Sequence, residues 1–178
     1  MGRHIVFLRG VNLGARNRIA MPVLRELLAS AGFEDVRTHS QSGNVVLSSS
    51  EAPDQIARAC EVEIASRFDL AIDCVVRTRE ELSEVVELNP LQAVATNPKR
   101  YQVCFLAHAC DAELVQKLEV ATRPPEQFKA IGREIYTWHP DGIGRSRLWA
   151  QLAGPRLGVI ATARNWNTVT QVLAIAST

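Results

Sequence analysis

The chain has 178 residues, 47% of them hydrophobic, with 20 lysines and arginines against 19 aspartates and glutamates. That length suits one domain or two small ones, which such a composition can fill without disulfide or metal staples. The near-zero net charge gives no sign of a bulk polyelectrolyte partner, no apolar run approaches the roughly 18 to 20 residues of a membrane span, and residues 1–9 lack a signal peptide's long apolar segment, so the expectation is a cytoplasmic protein with no membrane partner.

Residues 4–8 (HIVFL) read as a buried strand that Gly10 ends. Residues 10–20 (GVNLGARNRIA) are loop chemistry, after which Met21 and Pro22 open a helix through Ala31, closed by Gly32. Leu24, Leu27, Leu28 and Ala31 give that helix its apolar stripe. Strands at 36–40 and 44–48 are joined through Gln41-Ser42-Gly43 as a hairpin. Pro53 starts a second helix running to residue 68, and residues 72–76 (IDCVV) form a fourth strand. This βαββαβ order is that of the split βαβ, or ferredoxin-like, unit. A helix over 78–88 leads to Asn89-Pro90 and Asn97-Pro98, the breaker dipeptides that mark a domain joint.

Beyond the joint the pattern restarts. Residues 101–107 read as a strand, Asp111 caps a helix that Pro124-Pro125 stops, and 128–131 and 134–138 make a hairpin across Gly132-Arg133. The rest reads as a helix near 146–152, a Gly154-Pro155 break and a last helix over 167–176. The expected fold is α+β, with two ferredoxin-like (split βαβ) halves, the second followed by C-terminal helices. The expected domains are 1–88, a βαββαβ unit plus a linking helix, and 97–178, a βαββ unit with terminal helices.

Charge is unevenly placed. Residues 1–20 carry four arginines and no acid, 51–88 carry ten acids against four arginines, and 132–178 carry five arginines against two acids. Cys60, Cys74, Cys104 and Cys110 are irregularly spaced, without a CxxC, and read as thiols rather than metal ligands or disulfides. His4, His108 and His139 lack HxxxH or HExxH spacing, so no metal is expected, and no GxSxG surrounds Ser40 or Ser42 to support a triad with His39. No cofactor follows from the sequence, and no catalytic residue is assigned.

Four segments concentrate polar residues where the backbone turns: LRGVNLGARNR at 8–18, QSGNVV at 41–46, GIGRSRL at 142–148 and TARNWNTV at 162–169. Together, in chain order, they resemble the bacterial family catalogued as domain of unknown function 1697. The resemblance implies a small α+β protein with ferredoxin-like halves and brings no catalytic residue with it. Departures are local: the resemblance leads one to expect Gly-Gly after Asn12 and Pro before Met21, where this chain has Leu13-Gly14-Ala15 and Ala20.

The residues themselves point to an anion, and the expectation is one site made together by the first loop, the GIGRSR turn and the RNWNT segment. Gly10, Asn12 and Gly14 allow left-handed backbone that turns amides inward, and Arg9, Arg16 and Arg18 supply guanidinium donors. Arg145, Ser146 and Arg147 combine charge with a helix-capping hydroxyl. Arg164, Asn165, Trp166 and Asn167 place a guanidinium, two amides and an indole before a helix. Each group also has a plain structural reading, as a locked loop, a cap and turn, and a cap with a buried indole. Gln41, Ser42 and Asn44 read as turn residues.

The functional expectation is a binding module for a phosphate-bearing ligand, either a small molecule such as a nucleotide or single-stranded nucleic acid. The alternatives are an enzyme acting on a small phosphorylated metabolite and a structural or regulatory protein with no small-molecule ligand. Paired halves allow a homodimer without requiring one.

Overall fold

In the computed structural model, which describes residues 1–155 and 157–178, the HIVFL run becomes the centre of an antiparallel sheet. β1 (Gly2–Leu8) lies between β3 (Asn44–Ser49) and β4 (Cys74–Thr78), and β2 (Glu34–His39) forms the edge beyond β3, giving the order β2-β3-β1-β4. Register places Ile5 opposite Val46 on one side and Arg77 on the other. Alternation sends Val6, Leu8, Val45, Leu47 and Val76 into one core with the apolar stripes of α1 (Met21–Ser30) and α2 (Pro53–Phe68). Both helices begin with proline in the first turn. α3 (Arg79–Leu88) follows β4 directly through a reciprocal cap: the Glu81 N–H donates to Thr78 Oγ1 at 3.1 Å, and the Thr78 N–H donates to Glu81 Oε2 at 2.9 Å.

The chain divides into two units, Met1–Glu84 with Gln171–Thr178, and Val85–Thr170. The second unit holds β5 (Tyr101–Leu106), α4 (Ala112–Ala121), β6 (Gln127–Ile131), β7 (Glu134–Trp138), α5 (Arg147–Ala153) and β8 (Ala161–Asn165), and α6 (Trp166–Ala176) starts in it. Its sheet order is β6-β7-β5-β8. The second half is therefore a full βαββαβ unit and not the βαββ expected from sequence. The residues expected in a loop before the last helix, Ala161 to Asn165, pair with β5 from Leu106 to Gln102. Alanine and asparagine are poor strand formers, so it is the neighbouring strand, not local propensity, that holds them extended.

The two sheets repeat each other residue by residue. Leu8 and Leu106 are equivalent: the Leu8 N–H donates to Gly43 O at 2.8 Å, and the Leu106 N–H to Arg133 O at 2.8 Å. One residue later the Arg9 N–H donates to Asp73 O and the Ala107 N–H to Ile160 O, each at 2.9 Å. The same register matches Phe7 with Phe105 and pairs Arg77, opposite Ile5, with Arg164, opposite Val103. Both arginines are buried, and each donates to the carbonyl of the residue before it, Val76 and Ala163. The halves share this device without sharing a sequence motif.

Candidate functional site

A concavity lies in the second unit, where the chain leaves α4 and where it leaves β7. After Trp138 the backbone reverses through residues 139–142: the Gly142 N–H donates to His139 O at 2.9 Å, and Gly142 takes φ +84°, which suits glycine. Ser146 caps α5, its Oγ accepting from the Trp149 N–H at 2.9 Å. The oxygen is thus engaged by the helix, while the O–H remains a donor for the cleft that Ser146 lines. α5 has only seven residues, so the field here comes from side chains and not from a helix dipole.

Those side chains are Arg145 from the turn, Arg147 from the start of α5 and Arg123 from just beyond α4, which with Pro124, Pro125, Glu126 and Asp141 line a cleft of about 670 Å³. Arg123 donates to Val120 O at 2.8 Å and Thr122 O at 3.1 Å, which fixes it beside the prolines. Arg145 and Arg147 are exposed and have no hydrogen bond or ion pair among the described residues. Glu126 is different. Its side chain is 14% exposed, and Oε1 sits 2.7 Å from Nδ1 of the wholly buried His139. A carboxylate only accepts, so Nδ1 carries the proton; in the neutral ring Nε2 then accepts from Thr137 Oγ1 at 2.9 Å. The ring is further held edge-on to Trp149 at 5.8 Å. The cleft thus presents two exposed cations without a partner among the described residues, one fixed cation, one fixed carboxylate and the exposed carboxylate of Asp141.

In the first unit the loop ahead of α1 is tied down. Asn12, at φ +53°, donates from Nδ2 to Ile19 O (2.9 Å) and Gln41 O (2.8 Å) and accepts from the Ile19 N–H (2.9 Å). Asn17 donates to Gly10 O at 3.1 Å. Arg9 pairs with Asp73 at 3.1 Å, both half-exposed, while Arg16 and Arg18 are exposed. The 41–46 segment is knit internally, Asn44 Nδ2 donating to His39 O and to the hydroxyls of Ser40 and Ser42. Gly43 lies against Leu8 and Val11, where an added Cβ would come within 2.5 Å of Val11 Cγ2.

In the second unit, the RNWNT residues lie outside the lining of the Arg145 cleft. Arg164 is buried in β8 and donates to Thr162 Oγ1 (2.7 Å) and Ala163 O (2.8 Å). Burial pulls its guanidinium down to about 10, which leaves it cationic at neutral pH. Asn165 caps α6, accepting from the Thr168 N–H at 3.0 Å. Trp166 stacks on buried Tyr101, with ring centroids 4.7 Å apart and planes 15° apart. Asn167 makes no side-chain hydrogen bond among the described residues.

Burial pushes the Cys60 thiol up to about 12 and the Cys74 thiol well above its ordinary value, so neither supplies a thiolate at neutral pH. Among the described residues no three His, Cys, Asp or Glu side chains gather as metal ligands would, and no helix is long and apolar enough to cross a membrane.

The family described as protein of unknown function (DUF1697) matches residues 1–136. The chain belongs to this family. The DUF1697 match covers the first unit's sheet and the second unit's strands through Tyr136, and it stops short of the 142–147 turn. No curated protein matches the chain. Among solved structures it is similar to the conserved bacterial protein SP0830 from Streptococcus pneumoniae, at a TM-score of 0.80 and 18% identity over 98% of both chains. At that identity the likeness shows the fold alone, which is α+β with ferredoxin-like halves.

Sequence reasoning singled out Arg145, Ser146 and Arg147 but passed over Arg123, Glu126 and Asp141, the other charged residues of the cleft. The one local signal was Arg123-Pro124-Pro125, an arginine beside a helix stop. Glu126 and His139 are 13 residues apart, and only the β6–β7 hairpin brings them together.

Proposed function

We propose that the protein binds a phosphate-bearing ligand in the cleft of its second unit. The observation that carries this reading is that guanidinium groups from two separate chain segments line one concavity, while Arg145 and Arg147 are satisfied by nothing among the described residues. Planar guanidinium forks match phosphate oxygens bidentately, and each charge-assisted hydrogen bond contributes roughly 1.5 to 3 kcal/mol. Glycines at 142 and 144 keep the approach free of side chains. The RNWNT segment and the first loop do not enter this reading: Asn12, Asn17, Arg164 and Asn165 hold strands, caps and turns, Arg9 pairs with Asp73, and Arg16, Arg18 and Asn167 are not among the residues that line the cleft.

Calorimetric titration with inorganic phosphate at low ionic strength tests it. The wild type binds, and the R145A/R147A variant binds at least about tenfold more weakly, the equivalent of about 1.4 kcal/mol. A wild type that takes up no phosphate, or a variant that binds as well, overturns the reading. One feature favours an enzyme over a binding module: Glu126, held by His139 and open to the cleft, is the group placed to take a proton from a bound ligand. Loss of turnover in E126Q with phosphate affinity intact is the outcome that separates the two.

A further inference from the structure

The cations of the cleft account for a phosphate, but its two carboxylates do not. Glu126 and Asp141 line the same space as the three arginines and would repel a bare phosphate. Glu126 Oε1 is fixed by His139, Oε2 has no hydrogen bond among the described residues, and Asp141 is exposed and without a partner there. A carboxylate in a phosphate site is favourable when the rest of the ligand offers hydroxyl groups, since hydroxyls donate and an ionised carboxylate only accepts. The lining also lacks any aromatic ring. Its apolar surface is Pro124 and Pro125 with the two glycines, so a purine or pyrimidine finds no face on which to stack. About 670 Å³ is ample for a small phosphorylated ligand.

Resting on the phosphate reading above, we infer that the ligand is a phosphorylated sugar or polyol, its phosphate on Arg123, Arg145 and Arg147 and its hydroxyls donating to Glu126 and Asp141. The arginines set affinity; the carboxylates set selectivity for hydroxyl-bearing esters over inorganic phosphate.

The test is calorimetric titration of the full chain with inorganic phosphate, ribose 5-phosphate and adenosine 5′-monophosphate. Ribose 5-phosphate is expected to bind at least about tenfold more tightly than inorganic phosphate, and the adenosine monophosphate no more tightly than ribose 5-phosphate. In D141N the two ligands respond differently. The repelling charge is gone for both, but ribose 5-phosphate also exchanges a charge-assisted hydrogen bond for a weaker neutral one, so its affinity relative to inorganic phosphate falls by about tenfold. Asp141 is exposed, so the substitution leaves folding intact; E126Q is the second variant, read beside a thermal melt because it also breaks the bond to His139. Equal affinity for ribose 5-phosphate and inorganic phosphate, tighter binding of the adenosine monophosphate, or an unchanged ratio in D141N overturns the inference while leaving the phosphate site standing. Failure of all three ligands to bind removes the site itself.

Discussion

Asn12 shows how a residue suited to ligand contact can be spent on the fold. Its amide makes three hydrogen bonds that close the loop ahead of α1 onto Gln41, and its φ of +53° is a conformation that asparagine tolerates and alanine does not. N12A leaves the Ile19 N–H and the Ile19 and Gln41 carbonyls short of partners and forces alanine into the left-handed region. The expected cost is about 3 kcal/mol, read as a lower urea midpoint at unchanged slope. Phosphate affinity should not change. Full stability with lost phosphate binding would move the ligand site to the first loop. Arg145 and Arg147 present the reverse case: with no hydrogen bond or ion pair among the described residues, they are available to a guest.

Legibility of this fold at the level of elements followed hydrophobic content. Strands built from β-branched and aromatic residues, such as HIVFL and EIYTW, declare themselves locally, and so do the helices with proline starts or an Asp111 cap. β8 does not, because Ala161, Ala163 and Arg164 carry a weak period-2 signal at the edge of the sheet, where a single neighbour sets the register. Missing it displaced the reading of the RNWNT segment, whose first two residues are strand and whose Asn165 is a cap. The two asparagines therefore separate cleanly. N165A removes the acceptor for the Thr168 N–H and should cost about 1 kcal/mol, while N167A should stay within about 0.5 kcal/mol by thermal or chemical denaturation. Equal costs would mean that α6 is capped differently. The cleft was half legible for a related reason. The GIGRSR turn is contiguous, but Glu126 and His139 meet only through a hairpin, and spacing along the chain says nothing of such pairs.

At the scale of the molecule the question is which class of phosphate-bearing ligand the charge and the aromatic surface can serve. The basic run at 1–20 belongs to the same unit as most of the acidic stretch at 51–88, so that unit has no net field to draw in a polyanion. In the second unit the rings on the strands that might stack bases, Tyr101, Phe105, Tyr136 and Trp138, are all buried, and the Tyr101 face is taken by Trp166. Binding of single-stranded nucleic acid needs both a cationic groove along several phosphates and exposed rings. The rings are missing among the described residues: cationic side chains line two adjoining hollows, one holding Glu126 and Asp141 and the other bordered by Lys117, Arg123 and Arg147, but no aromatic residue lines either. A labelled oligonucleotide is therefore expected to show no shift at low ionic strength, at protein concentrations where inorganic phosphate binding is saturated. A shift that weakens steeply with salt would mean several phosphates held at once, and the small-molecule reading of the cleft would have to give way to a surface that follows a nucleic-acid backbone.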